Sequence, residues 1–429
     1  MRMLNSTSEM ETKRLKVLLC CHACAPNSGS EPGMGWNFAS NIARFHDVHV
    51  IVEERKYKPI LLQFSHEHPE AVKHITFHFI PRIRNKTLRK IWPPSYYWFY
   101  RKWQKKAYKL AITLHKKEHF DIVHQITIAG FREPGYLWRL PIPFIWGPIG
   151  GFTQTPWRLI PGCGFHGLLY FTFRNILNHI QKRFGYAGRQ VAPIAHTILV
   201  SDHQGAHDVK KYWKRDSQIL LEVSTNSSCF AEKVSPRSEN EKFQICWTGH
   251  LIPLKALELL LYAIAKCETT NVTLEVIGDG SMAEKWKKLS HSLNIEDRVN
   301  FRGRIERTEV LKVMKRSHVF CHTSIKEGGT GTVILEALQS GLPTIILDHG
   351  GAAHVIDETC GIKISIKNRE QISGDIAKHI DELANNEAYR LKLAEGALAR
   401  SRKFTWDSKI KSINDIYARA LRDTLRFKN

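Results

Sequence analysis

Short apolar runs of strand character alternate along this chain with stretches of helical period, and nothing else in the sequence constrains the fold as tightly. In the first half the strand-like runs are KVLLCCHA (16–23), VHVIVE (48–53), ITFHFI (75–80), DIVHQI (121–126), FIWGPI (144–149) and HTILVS (196–201). In the second half they are FQICWTG (243–249), VTLEVIG (272–278), VNFRGR (299–304), HVFCHTS (318–324) and TIILD (344–348). Helical spacing falls between them, at 253–266, 281–292 and 307–317. Strands joined through helix-length segments pair in parallel, so the expected class is α/β with helices on the sheet faces.

At 429 residues the chain is long for one domain. Periodicity lapses at 223–242, VSTNSSCFAEKVSPRSENEK, where Ser, Asn and charges take over. Two doubly wound domains are expected, at 12–225 and 243–404, facing one another across a cleft. The stretch 405–429 resumes helical spacing after FTWDS and is expected to pack back on the first domain.

Charge bounds the partners. Lys and Arg number 63 against 41 Asp and Glu, a net +22 that calls for nucleic acid, an acidic membrane or a phosphorylated ligand. The excess concentrates at 82–117, with twelve Lys or Arg and no Asp or Glu, interleaved with Trp92, Tyr96, Tyr97, Trp98, Phe99, Tyr100, Trp103 and Tyr108. Two readings stand side by side: a solvated basic helix packing its aromatics inward, or an interfacial surface with cations on anionic lipid. Nucleic acid is not expected, because no recognisable binding module accompanies the cluster.

No apolar run reaches the ~20 residues of a membrane span. The start, KRLKVLLCCHACA, imitates a short signal peptide, but the GSEPG turn after it fits a first buried strand. Nine unpatterned cysteines read as reduced thiols and a cytoplasmic setting, and CCHAC lacks the second Cys/His pair of a zinc site.

Chemistry concentrates in loops at strand ends. EGGTGTVILEALQSG (327–341) reads as a glycine loop opening a helix from about Thr332 to Ser340, closed by Gly341 and Pro343. Free N–H groups at such a helix start make an anion site. Val333, Ile334, Ala337 and Leu338 are expected to be buried, with Thr332, Glu336 and Ser340 on the opposite face. A carboxylate one turn in repels phosphate but accepts hydrogen bonds from ribose hydroxyls. In TGHLIPLKALELLLYAIA, His250 and Lys255 precede a helix, and a lysine there can meet a diphosphate. Gly278 and Gly280, then Gly350 and Gly351, mark two more strand ends with close backbone approach.

These segments resemble the retaining glycosyltransferases of family 4, which have the two-domain, Rossmann-like GT-B fold. The resemblance is carried by WTGHLIPLKALELLLYAIA, LEVIGDGS, VNFRGRI and EGGTGTVILEALQSGLPTIILDHGG over about 243–366, and more weakly by GSEPGMGWNFA, DIVHQI and WGPIGG. It implies a UDP- or GDP-linked sugar bound mainly by the second domain. Glu336 would take the ribose, Thr330, Gly331, Thr332 and Val333 with Lys255 the diphosphate, Gly303 and Arg304 the base, and Glu327 the sugar hydroxyls. It further implies a saccharide or lipid-linked acceptor, no obligatory divalent ion, and cytoplasmic work, peripheral to the cell membrane, in cell-surface glycan assembly. Two departures stand out. Eight residues, not seven, separate Glu327 from Glu336, so strict register puts Gly328 in the first glutamate's place, and His250 stands where the family has arginine.

In the first domain, GSEPGMGWNFA follows a strand, and Gly33, Gly35 and Glu53 partly imitate a dinucleotide fingerprint. An NAD(P)-dependent oxidoreductase is therefore the alternative, although Trp36 crowds the loop; a nucleotide-sugar epimerase of the same fold is another. In the transferase reading Gly33, Gly35 and Glu31 lie on the acceptor side, with Arg132, Gly150 and Gly151. His124, ending its strand toward the cleft, is the first domain's catalytic candidate.

Overall fold

The computed structural model describes residues 14–426 except 84, 93, 94, 129, 226–230, 232, 239, 240 and 328; Gly328, with its register question, lies outside the described residues. Lys16–Cys20 (β1) is a continuous apolar run and is buried on both faces, as a central parallel strand must be. Its sheet is completed by Asp47–Glu53 (β2), Ile75–Ile80 (β3), Ile122–Gln125 (β4), Phe144–Ile149 (β5), Thr197–Val200 (β6) and Gln218–Ile219 (β7). All pairs are parallel, in the order β3-β2-β1-β4-β5-β6-β7.

The second sheet repeats the plan. Phe243–Thr248 (β8), Val272–Ile277 (β9), Val299–Gly303 (β10), Val319–His322 (β11), Thr344–Leu347 (β12) and Gly361–Ile364 (β13) lie in the order β10-β9-β8-β11-β12-β13, again parallel. The chain order reverses between β1 and β4 in one sheet and between β8 and β11 in the other. These are the switch points, where the loops at the strand C-termini diverge and leave a crevice.

All eleven strand-like runs of the sequence are strands here. The two that it did not signal, β7 and β13, are edge strands of two and four residues, too short for a periodic pattern to emerge. The helix expected at 253–266 is broken: Pro253–Lys255 is a single 3-10 turn, Ala256 has φ +45°, and Glu258–Lys266 follows as α-helix. Helix Thr332–Gln339 also differs, because Ile334 to Gln339 are all buried and Glu336 shares no solvated face.

The long helix Trp406–Arg426 closes the first sheet rather than the second. Ile410, Ile413, Ile416 and Tyr417 pack with Val17 and Leu19 of β1 in one cluster. The chain therefore crosses between the sheets twice, and the crossings are bonded to each other. Thr225 N donates to Phe404 O at 3.1 Å and Trp406 N to Thr225 O at 3.0 Å. Buried Lys409 donates to Leu221 O at 2.6 Å and Val223 O at 2.8 Å.

The basic aromatic segment divides between both readings. On helix Ser95–Glu118, Tyr100, Trp103, Ala107 and Ala111 face the core, whereas Trp92, Tyr97 and Trp98 are exposed. Among the described residues, no helix is long and apolar enough to cross a membrane.

Candidate active site

The second switch point assembles the site. The loop after β8 and the loop after β11 are stitched to one another: Thr323 Oγ1 donates to Lys255 O at 2.8 Å, and Ile325 N to Leu254 O at 2.9 Å. Trp247 Nε1 donates to Thr323 Oγ1 at 3.1 Å from the core side. This stitching brings Lys255 Nζ onto the carboxylate of Glu327, two candidates far apart in sequence. His322, buried at the end of β11, places Nε2 3.2 Å from the same Glu327 oxygen. Burial works against the Glu327 charge, but hydrogen bonding and charge from His322, then Lys255, outweigh it and hold the pKa down at about 2. The site therefore keeps one buried carboxylate ionised beside Lys255 and the His322 ring.

The loop then turns into helix Thr332–Gln339. Gly331 caps it at φ +80° without a side-chain bond, and Ile334 N donates to Gly331 O at 3.3 Å, which leaves the N–H groups of Thr332 and Val333 to an anion. Thr330 is different: its N–H donates to Glu222 Oε1 at 2.6 Å. Glu222 arrives from the first crossing, and its carboxylate sits so close to Gly329 that a Cβ there would lie 1.9 Å from Oε1. Burial raises the Glu222 pKa against backbone hydrogen bonds, its own and that of Thr330, and the nearby Lys409 charge. Of the four residues expected to offer backbone to a diphosphate, Thr330 has its N–H engaged.

Glu336 is buried and ion-paired to Arg307 Nη2 at 2.7 Å, on a guanidinium that is itself 74% exposed. One helical turn from the uncapped start, it presents a carboxylate at the edge of the crevice with a mobile-ended partner. Gly278 and Gly303 flank this region with φ +136° and +67°. Gly278 is obligatory, because a Cβ would fall 1.9 Å from Gly249 O. Arg304 and His250 are exposed at the loop tips.

The first domain's candidates fare unevenly. His124 is fully buried inside its sheet, with Nδ1 2.8 Å from Tyr417 Oη and Nε2 2.7 Å from Gly147 O. Burial lowers its pKa to about 4. Both ring nitrogens are used, so the expectation that His124 points into the cleft is corrected: it ties the C-terminal helix to β4. Gly33 and Gly35 are points of close backbone approach: a Cβ on them would meet Ser28 O at 1.9 Å and Ala23 O at 2.1 Å. Glu31 is half-buried in the first turn of helix Ser30–Ile42. Gly150 bridges to Gly130, and Gly151 at φ +84° lies against Arg132.

Sequence reasoning missed His322, Arg307 and Glu222. The first could have been suspected as a histidine at a strand C-terminus beside a glutamate loop. Glu222 had no local signal, since its partner Thr330 lies more than a hundred residues away. Among the described residues no group of three His, Cys, Asp or Glu is placed to hold a metal ion, and the eight described cysteines are free thiols.

Residues 230–400 match the family model Glycosyl transferases group 1. An uncharacterized glycosyltransferase of Methanocaldococcus jannaschii is 25% identical over 203 residues, 46% of this chain and 51% of that protein. A D-inositol 3-phosphate glycosyltransferase of Stackebrandtia nassauensis is 29% identical over 187 residues, 41% of each chain. The chain thus spans about half the length of the curated relatives it matches. Over nearly the whole chain, the fold is that of a Rickettsia africae glycosyltransferase (TM-score 0.63, 15% identity, 95% and 99% of the two chains). It is also that of Anabaena HepE in complex with UDP (TM-score 0.59, 16% identity, 94% and 99%). None of this supports the oxidoreductase alternative. Residues 230–400 are thus similar to the glycosyl transferases group 1 domain, and the two sheets have the GT-B fold.

Proposed function

We propose that the protein is a retaining, family-4-type glycosyltransferase that moves a hexose from a UDP- or GDP-linked donor to a saccharide or lipid-linked acceptor in cell-surface glycan assembly. The observation that carries this reading is the convergence of Lys255, Glu327 and the uncapped start of helix Thr332–Gln339 at one switch point. A nucleoside diphosphate fits these groups: phosphate oxygens at the helix start and Lys255, ribose hydroxyls at Glu336, donor-sugar hydroxyls at Glu327. HepE was crystallised with UDP on the same fold, which supports a uridine nucleotide here.

In this reading the C1–O bond to the diphosphate breaks while a new C1–O bond to the acceptor hydroxyl forms on the same face. The acceptor's proton passes to the departing phosphate oxygen, so no side-chain base is needed. The protein's part is electrostatic, because charge builds on the leaving diphosphate where fixed N–H dipoles and Lys255 already point. The exposed aromatics and cations of 82–117 support a peripheral position against an anionic membrane, on its cytoplasmic side.

Purified protein incubated with a panel of nucleotide sugars and acceptors, read by mass spectrometry, tests the proposal. Sugar transfer that falls by about 100-fold in Lys255→Ala and Glu336→Ala, with unchanged circular dichroism, is the expected result. Near-normal transfer by both variants would sink the donor-site assignment.

A further inference from the structure

Helix Gly164–Phe184 is amphipathic the wrong way round. Its buried positions include Asn175, Asn178 and Lys182. Asn175 bonds both Thr155 N and Thr155 O, Asn178 bonds Phe152 O, and Lys182 pairs with Asp208 Oδ2 at 2.6 Å. Meanwhile Phe165, Leu169, Phe173, Ile176 and Phe184 face outward, Phe173 with 66% exposed. A helix that spends its polar residues inside and its apolar ones outside has an apolar partner missing.

Part of that face forms one wall of a cavity of about 1080 Å³, whose opposite wall is the exposed side of helix Ser95–Glu118. Trp92, Tyr97, Trp98, Trp138, Tyr170 and Phe173 line it, giving a groove that suits a hydrocarbon chain. Arg132 and Arg174 also line the cavity. Arg132 donates to the neutral amides of Gln181 and Asn178, and Arg174 to Tyr170 Oη at 2.7 Å. Glu133, the carboxylate nearest Arg132 in sequence, is already bound twice by Arg101, at 2.9 and 2.7 Å. Lys326, on the other domain, lies within range of the Arg132 and Arg174 charges. Burial lowers its pKa to about 8, with the Arg174 and Arg132 charges adding to the effect. Lys326 directly precedes Glu327, so this cationic cluster stands between the groove and the donor loop. Arg132 and Arg174, with the charge of Lys326, outnumber the one carboxylate of the cavity wall, Glu133, which Arg101 holds, and form a site for a multivalent anion.

We propose that Arg132, Arg174 and Lys326 bind the phosphate or diphosphate of a lipid-linked acceptor, with its hydrocarbon chain in the aromatic groove between helices Ser95–Glu118 and Gly164–Phe184. This deepens the transferase reading and rests on it: the lipid end lies outward, and the saccharide beyond the phosphate reaches the Glu327 loop. Neither part of the ligand suffices alone, because the aromatic wall offers a phosphate no partner and the cations offer a hydrocarbon chain no burial.

Calorimetric titration of the full chain with farnesyl diphosphate, farnesol and inorganic pyrophosphate tests the site, with UDP and GDP titrated into the same samples. Farnesyl diphosphate is expected to bind about tenfold or more tightly than either fragment. Arg174→Gln and Lys326→Gln are each expected to weaken it about tenfold and to leave UDP affinity unchanged. Using two variants on different domains guards against one misfolding, and thermal melting checks both. Equal binding of farnesol or pyrophosphate, or indifference to both substitutions, overturns the site. So does binding of phosphatidylglycerol vesicles without binding of farnesyl diphosphate, which makes the helix face a membrane surface only. UDP binding without farnesyl diphosphate binding overturns this inference alone; farnesyl diphosphate binding with neither UDP nor GDP bound overturns the transferase reading and leaves the lipid phosphate site standing.

Discussion

Glu327 shows how a residue's meaning depends on neighbours that the sequence does not place beside it. Its spacing from Glu336 departs from the pattern of the family it resembles, yet the carboxylate is held by Lys255 and His322 at the second switch point. Lys255 and the glycine loop were legible because each sits at a strand end beside a helix start, a local pattern. His322 and Glu222 were not, because what makes them matter is a contact across the fold. The Glu327 pKa gives a test with a definite sign. A carboxyl held at about 2, against 4.5 ordinarily, adds stability that is fully present above pH 4.5 and lost as pH falls toward 2. The size is on the order of 3 kcal/mol. Urea unfolding of wild type and Glu327→Gln across pH 7 to 3 is expected to show a steeper acid loss in wild type. Parallel pH profiles would remove the ion cluster from the account.

At the scale of the element, period and polarity gave different amounts of information. Both sheets were legible because a buried parallel strand writes a solid apolar run, and only the short edge strands β7 and β13 left none. Helix Gly164–Phe184 left no recognisable mark, since an apolar stripe tells which residues share a face but not whether that face points in. His124 failed for a related reason. A strand C-terminus can present its last residues to the crevice, but this one is covered by the C-terminal helix, whose docking is a long-range event. Tyr417→Phe removes the partner of His124 Nδ1 and is expected to cost about 1–3 kcal/mol of stability. Nucleotide affinity should stay the same, as measured by thermal melting and calorimetry on one preparation. A large loss of affinity with little loss of stability would return His124 to the site.

The whole molecule is two switch points held face to face by a double crossing. Lys409 and the Thr225–Trp406 bonds lock the crossings together, and Glu222 runs from them to the glycine loop. Contacts between the domains are both polar and apolar: His349 Nε2 lies 2.8 Å from Gln154 O, His354 Nδ1 lies 2.9 Å from His203 Nε2, and Leu159 of the first domain is buried in the core cluster of the second. Burial, then the His203 charge, lowers the His354 pKa to about 4. The donor end of this arrangement is where the account stands or falls. Titration of UDP and GDP into the wild-type protein and Lys255→Ala is the direct measurement. One-site binding of at least one of them, weakened about 100-fold in the variant, is the predicted result; no binding of either nucleotide, or equal binding by both proteins, would contradict it.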